Sequence, residues 1–322
     1  GDSVAVSVVA VSLKKKRFTA DADAALITAS TMKILTAAAA LHVLGPQHRF
    51  ATRVVAGHAP GQLVLVGGGD PVLTADPDRA GGTQLSTLAD LTAAELAESG
   101  TSTVELVVDD GMFTGPAVSP NWRSYYVPSG VVGPVSALAL DGGRISPGRS
   151  ERADDPAIAA ATTFVDMLAS RGIVVRAGPV RDDAPANAAE VAAVRSVPLE
   201  RIVEHMLLVS DNDAAEVLAR HVAAGTGRPA SFNAGSRAIV DAVGSLGIDM
   251  SGSTVLDGSG LARGNALSPN VLVATLAAAA RPENPDLRSV LTGLPVARFT
   301  GTLDERFDSP QAADAAGVVR AK

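Results

Sequence analysis

Ser30-Thr31-Met32-Lys33 is the first place in this 322-residue chain where side chains of suitable type stand at a chemically useful spacing. On a helix, positions i and i+3 share a face, so Ser30 and Lys33 can reach hydrogen-bonding distance. A serine alcohol is a weak nucleophile until a base takes its proton, and a lysine kept neutral by burial can be that base. A serine at a helix start also lies among backbone N–H groups that favour a developing oxyanion. The same residues fit a plainer reading, with Ser30 as an N-cap and Lys33 in solvent. Ser210-Asp211-Asn212 is the second cluster, set in a short break between two helical stretches. Its three polar residues can point into a cleft, or cap the helix that begins at Asp213. The third is Gly317-Val318-Val319-Arg320-Ala321-Lys322, a Val-rich candidate strand carrying a lysine, or a solvated tail.

In chain order, Ser-x-x-Lys, Ser-x-Asn and a strand ending in lysine match the motif set of penicillin-recognising serine enzymes. Ala29–Lys33 with Leu35-Thr36-Ala37 resembles the DacB-type class C penicillin-binding proteins, a D-Ala-D-Ala carboxypeptidase/endopeptidase family. So do Gly67-Gly68-Gly69-Asp70-Pro71, Pro134-Val135-Ser136-Ala137-Leu138, Ala215-Glu216 and Asp257-Gly258-Ser259-Gly260-Leu261. Leu294-Pro295-Val296-Ala297 and Gly301-Thr302-Leu303 look like that family's approach to its third motif. The resemblance spans essentially the whole chain. Ser30 and Ser210 lie 180 positions apart (210 less 30), too far for a class A β-lactamase and suited to an inserted domain.

The resemblance implies that Ser30 attacks the penultimate D-Ala carbonyl, Lys33 takes its proton and Ser210 relays a proton to the leaving amine. Asn212 would hold the substrate amide, Asp211 would contribute to substrate binding, and Lys322 would attract the terminal carboxylate. Implied partners are peptidoglycan stem peptides ending in D-Ala-D-Ala and β-lactam antibiotics, with no metal or organic cofactor. The implied location is extracytoplasmic, in the periplasm or cell wall. One departure is evident, because the family's third motif is Lys-Thr-Gly and this chain stops at Lys322. Thr300-Gly301 offers a Thr-Gly pair, but Phe299 precedes it where lysine is required. Lys322 is therefore aligned with the motif lysine, and the natural protein is expected to continue with Thr-Gly and further strands. That ending gives weight to a rival reading, a catalytically impaired peptidoglycan-binding or scaffold module of the same fold.

Composition narrows the field. A net charge of −7 argues against nucleic acid, whose phosphates call for clustered Lys and Arg. The one dense basic run, Lys14-Lys15-Lys16-Arg17, reads as a solvated hairpin or loop. Hydrophobic residues make up 47% and aromatics 3%, so the cores must be built from Ala, Val and Leu. No stretch reaches the roughly 18–20 apolar residues of a membrane span. The chain has no cysteine, which is compatible with export, and its opening Gly1-Asp2-Ser3 reads as a mature or trimmed sequence. His42, His48, His58, His205 and His221 form no zinc pattern, and Gly67–Gly69 lack the Lys-Ser/Thr of a phosphate loop. Asp257–Gly260 can line the cleft or form a turn, and the turn is the simpler expectation.

The elements that must position these residues can be read from periodicity and punctuation. Val4–Leu13 reads as a buried strand and Arg17–Ile27 as a short strand and loop; a helix runs from Ser30 through Leu44 to a stop at Gly45. Strands are expected at Thr52–Gly57, Gln62–Val66, Thr103–Asp109 and Ile173–Val175, with helices at Leu85–Glu98 and Asp155–Arg171. The Gly/Pro/Ser-rich stretch between them, through Pro147, reads as loop and holds Trp122, Tyr125 and Tyr126. Helices follow at Leu199–Leu208, Asp213–Ala224, Ser231–Gly244, Pro269–Ala280 and Asp286–Leu291. The fold class is α/β: by resemblance a discontinuous transpeptidase-like (β-lactamase-like) domain over residues 1–50 and 190–322. A smaller inserted α/β domain occupies 51–189, with Asp183–Ala189 as the linker.

Overall fold

The computed structural model describes residues 4–13, 15–146 and 148–322; Gly1-Asp2-Ser3, Lys14 of the basic run and Pro147 lie outside the described residues. The described chain divides into two units. One runs through His48, returns at Ser119–Arg123 and continues over Pro198–Lys322; the other comprises Arg49–Val118 and Ser124–Val197.

The first unit opens with an antiparallel ribbon, β1 (Val6–Ala10) and β2 (Lys15–Ala20), bulged between Val8 and Val9. The expected buried strand over Val4–Leu13 is corrected in two respects. It is shorter, giving way to a 3-10 turn at Val11–Leu13, and none of its residues is fully buried. Val8 and Phe18 pair across the ribbon and both stay exposed, because this face of a two-stranded ribbon has no second layer over it. Lys15, Lys16 and Arg17 are solvated on β2, one arm of the hairpin, as expected. After β3 (Leu26–Ile27), a 3-10 turn at Ala29–Thr31 leads into α1 (Met32–Leu44), which Gly45 ends at φ +84°. Every residue from Met32 to Leu41 is buried. A helix apolar on all sides has no solvent face, so α1 runs through the interior and carries Lys33 there with it.

The second unit is built on a six-stranded sheet. Its strands are β4 (Ala51–Ala56), β5 (Gln62–Val66), β8 (Thr103–Asp109), β9 (Val174–Val175), β10 (Val180–Arg181) and β11 (Glu190–Arg195). Between β5 and β8 lie the short pair β6 (Leu73–Thr74) and β7 (Thr83–Gln84), then helix α2 (Leu85–Glu98). Helix α3 (Pro156–Ala169) follows β8, capped by Asp155 accepting from Ile158 N. Side chains alternate across a strand, and the core follows that period. Leu63, Leu65, Leu106 and Val108 face Leu88 and Phe164 of the helices, whereas Val55, Val64 and Val107 point the other way, under Ala184 and Ala188. Gly67 and Gly68 pass so close to the Ala137 and Ala51 carbonyls that a Cβ on either would clash. The Gly-rich turn is thus a packing device.

Strand β11 moves the expected boundary. It pairs antiparallel with β4 and buries Ala192 and Val194 in the helix-covered core, so residues 190–195 belong to this unit. The Asp183–Ala189 stretch expected as linker instead covers the sheet's other face, and the chain leaves the unit after Val197.

The first unit resumes with α4 (Leu199–Val209), α5 (Asn212–Gly225), α6 (Phe232–Ser245), β12 (Ala266–Leu267), α7 (Pro269–Ala280) and α8 (Arg288–Thr292). Helices α4, α5, α6 and α7 all pack against α1. Strand β12 pairs with β3, just before the turn that holds Ser30. The expected C-terminal strand is a single bridge, Val296 to Arg320, flanked by Ala297 N to Val319 O and Ala321 N to Pro295 O. Among the described residues, no helix is long and apolar enough to cross a membrane.

Candidate active site

The backbone around Ser30 combines an unusual conformation with a close approach. Ala29 has φ +43°, a left-handed conformation that a side-chain-bearing residue rarely adopts. Gly260 lies against the Ala29 carbonyl, so tightly that a Cβ on Gly260 would collide with it. Ser30 therefore sits in a 3-10 turn one step ahead of α1, and the helix expected to open at Ser30 begins at Met32. The i, i+3 relation survives the difference: Lys33 Nζ lies 3.3 Å from Ser30 Oγ.

Helix α4 ends on Ser210 in a left-handed conformation, φ +61°, and this reversal turns the side chain toward Ser30. Ser210 Oγ donates to Ser30 Oγ at 3.0 Å. Asn212, the first residue of α5, accepts from Lys33 Nζ through Oδ1 at 2.7 Å. Lys33 has one further acceptor, the Ser259 carbonyl at 2.8 Å. The two short contacts are to carbonyl oxygens, which cannot donate. A neutral amine places its two N–H groups on them and has its lone pair left for Ser30. Four of the residues singled out by motif, Ser30, Lys33, Ser210 and Asn212, are thus brought into one cluster.

Two others sit differently. Asp211 was expected to bind substrate. It is the N-cap of α5, its Oδ1 accepting from Ala214 N at 3.0 Å and its Oδ2 lying 3.9 Å from His205 Nε2. An Asp between two helices satisfies an orphan amide first, so its carboxylate acts on the site through its charge. Lys322 Nζ donates to the Leu207 carbonyl at 2.6 Å and is close enough to Lys33 for repulsion.

The floor of the cluster was not singled out for chemistry by motif. Asp257 is buried and accepts from Trp122 Nε1 (2.9 Å), Asn265 Nδ2 (2.7 Å), Gly260 N (2.9 Å) and Ala262 N (2.6 Å). Trp122 packs edge-on against Phe232, and the Arg220 guanidinium lies 4.4 Å over the same ring. Glu216, also buried, accepts from Gly258 N at 3.1 Å and Ser259 N at 2.8 Å. Asp257–Gly260 is a turn, as the simpler reading held, and it also supplies the carbonyl that holds Lys33. A signal for Glu216 was present: it is a charged residue in an Ala/Val/Leu stretch, one helical turn after Asn212.

Burial lowers the Lys33 ammonium to about 8, against the opposing pull of Glu216, Asp211, Asp257 and Asp213. Burial, then the charge of Asp257, pushes Glu216 up to about 8, while hydrogen bonds from Ser259 and Gly258 draw it back. Lys322 falls to about 7, through burial and then the charge of Lys33, with Asp211 opposing. The cluster therefore holds two amines that can lose a proton near neutrality beside a half-buried serine. Among the described residues, no group of three or more His, Asp or Glu is placed to hold a metal ion.

The chain is 38% identical over 310 residues to a carboxypeptidase of Mycobacterium tuberculosis, covering 93% of this chain and 66% of that protein. It is 36% identical over 303 residues to carboxypeptidase DacB of Mycolicibacterium smegmatis, covering 91% and 64%. The chain thus spans just under two thirds of the length of both relatives. Its fold matches the crystal structure of penicillin-binding protein 4 (DacB) from Haemophilus influenzae with a TM-score of 0.76 at 23% identity, over 93% of this chain and 80% of that one. A second structure of that protein, complexed with a β-lactam, matches with a TM-score of 0.70. The sequence model of the D-Ala-D-Ala carboxypeptidase 3 (S13) family matches residues 1–151 and 146–322, and the chain belongs to that family.

Proposed function

We propose that this protein is a serine D-alanyl-D-alanine carboxypeptidase/endopeptidase acting on peptidoglycan stem peptides outside the cytoplasm, and that β-lactams acylate it. The observation that carries this reading is the contact of Lys33 Nζ with Ser30 Oγ at 3.3 Å, with the other two lysine contacts made to carbonyl oxygens. Lys33 takes the hydroxyl proton as Ser30 Oγ bonds to the carbonyl carbon of the penultimate D-Ala. The tetrahedral intermediate collapses by breaking the C–N bond, and the leaving amine receives a proton through Ser210, whose hydroxyl already donates to Ser30 Oγ. With that proton delivered from Lys33, the neutral Lys33 amine deprotonates a water that bonds to the acyl carbonyl carbon; collapse breaks the C–Oγ bond, and Lys33 returns the proton to Ser30 Oγ.

Asn212 orients the acyl-side amide, and Lys322 attracts the terminal carboxylate. A cross-linked stem peptide offers the same bond with a larger leaving amine, so endopeptidase cleavage needs no further chemistry. The names of the two mycobacterial relatives support carboxypeptidase chemistry, and the family's description supports the D-Ala-D-Ala substrate class. The mutation that tests the reading is Ser30→Ala, which removes the only hydroxyl in contact with Lys33 Nζ among the described residues. Fluorescent penicillin should label the wild-type protein covalently at Ser30 and leave Ser30→Ala unlabelled. Labelling of that variant at another serine, located by mass spectrometry, would overturn the assignment.

A further inference from the structure

We propose that Glu216 is a positioning residue for the Ser30–Lys33 pair, acting through the turn at Gly258 and Ser259 whose carbonyl holds Lys33. The inference rests on the serine-peptidase reading above. In a trans peptide the C=O and N–H point in opposite directions, so holding both ends fixes the plane. The plane between Gly258 and Ser259 is held at its carbonyl by Thr36 Oγ1 at 2.6 Å and at its N–H by Glu216 Oε1 at 2.8 Å. The next plane has Lys33 Nζ at its carbonyl (2.8 Å) and Asp257 Oδ1 at its N–H (2.9 Å). Glu216 Oε2 holds the preceding one through Gly258 N at 3.1 Å. Two of the three planes leading to the Lys33 acceptor are therefore held by one carboxylate.

The geometry of α5 gives this clamp its register. Asn212 and Glu216 are four residues apart on one helix face, so the side chain that accepts from Lys33 and the one that holds the turn move together. Gly258 lies directly on the helix, where a Cβ would come within 2.6 Å of the Ala215 carbonyl. A fully buried carboxylate is costly unless its oxygens are engaged, and here both are.

Charge adds a second effect. Lys33 is faced by Asp211, Asp213 and Glu216 at the start of α5, by Asp257 from the turn, and by Lys322 from the C-terminal segment. Glu216 is faced by Asp257 and Arg220. Glu216, its carboxyl pushed up to about 8 by burial, ionises over the same pH range in which Lys33 loses its proton, and its charge as it forms holds the proton on Lys33. Removing that charge therefore lowers the pH at which Lys33 becomes a base.

The test compares Glu216→Gln and Glu216→Asp with wild type in the full-length protein, measuring penicillin acylation at Ser30 against pH and Lys33 by ¹⁵N NMR titration. In wild type, acylation should rise through a limb near pH 8, where Lys33 loses its proton. Gln should lower the plateau by about ten- to a hundredfold, the loss expected for a hydrogen bond to a charged group. It should also move the limb about one pH unit toward acid. Asp should restore the limb and leave the plateau low, because the shorter chain keeps the charge but cannot span both amides. The limb position does not depend on how much protein is folded, so it separates this role from a merely structural one. An unmoved limb in Gln, with a rate loss matching the unfolded fraction, would overturn the proposal. Should Gln not fold, wild-type rate and limb in Asp would overturn it. Absence of acylation at Ser30 in wild type would instead defeat the peptidase reading, and the Lys33 titration would still decide the role of Glu216.

Discussion

Lys33 and Lys322 are the two amines of the site, and burial treats them alike. Both lose solvation, and both are lowered from an ordinary lysine value, to about 8 and about 7. Their neighbourhoods differ. Lys33 is locked by two carbonyl acceptors and has carboxylates around it, whereas Lys322 holds a single backbone carbonyl and is opposed by Lys33. A substrate carboxylate beside Lys322 would favour its charged form and raise its proton affinity. Below pH 7 the amine is already charged and binding takes up little; above 7, up to the raised value, binding must draw a proton from solution. A D-Ala-D-Ala peptide binding to the inactive Ser30→Ala variant at pH 8 should therefore show proton uptake. Calorimetry in two buffers of different ionisation enthalpy measures it, and Lys322→Gln should abolish it. Equal uptake in the Lys322→Gln variant would remove Lys322 from the carboxylate site.

At the scale of elements, the site is a meeting of three chain reversals. These are the 3-10 turn before α1, the left-handed end of α4 at Ser210, and the Asp257–Gly260 turn lying on α5. Each reversal carries a backbone conformation that tertiary contacts must hold, with Ala29 at φ +43°, Ser210 at φ +61° and Gly260 at φ +87°. Only Gly adopts such angles at little steric cost. Gly260→Ala would impose both a strained φ and a collision with the Ala29 carbonyl, so the turn and the start of α1 would have to separate. A left-handed non-Gly residue with a backbone clash should cost about 1–3 kcal/mol of stability. It should also slow acylation more than the unfolded fraction explains, because the displaced elements carry Ser30 and the Lys33 acceptor. Thermal unfolding and penicillin labelling of the same sample measure the two effects.

At the scale of the molecule, the two units are stabilised by different means. The first packs α4, α5, α6, α7 and α8 against α1, whose Ala37–Ala40 run lets neighbouring backbones approach closely. The second packs α2 and α3 on a twisted sheet around Phe164, one of the largest fully buried side chains in the chain. With so few aromatics, Phe164 has few substitutes. Phe164→Ala should destabilise the second unit by about 3–5 kcal/mol, the usual cost of such a truncation. Because each unit has its own core, a calorimetric scan should show one transition shifted to lower temperature while the other holds its position. A uniform shift of a single transition would show that the two unfold as one cooperative body.

The parts that were readable in advance are those whose cause is local. Helix α2 over Leu85–Glu98 and helix α7 over Pro269–Ala280 follow from apolar spacing, a Pro at the first position or a Gly past the end. The i, i+3 spacing brings Ser30 and Lys33 to one side, and β5 and β8 follow from Val/Leu runs bounded by turn residues. Tertiary structure decided what depends on contacts between distant segments. The 3-10 turn at Ser30 packs its Ala29 carbonyl against the remote Gly260, and the unit boundary after Val197 follows from pairing of β11 with β4. The exposure of β1 reflects the bare face of its ribbon, and the site's floor joins Trp122 to Asp257 across 135 positions. Periodicity reports the preferences of a few neighbouring residues. It carries no record of which remote carbonyl will face Lys33, because that choice is made by burial, which couples every segment of the core at once.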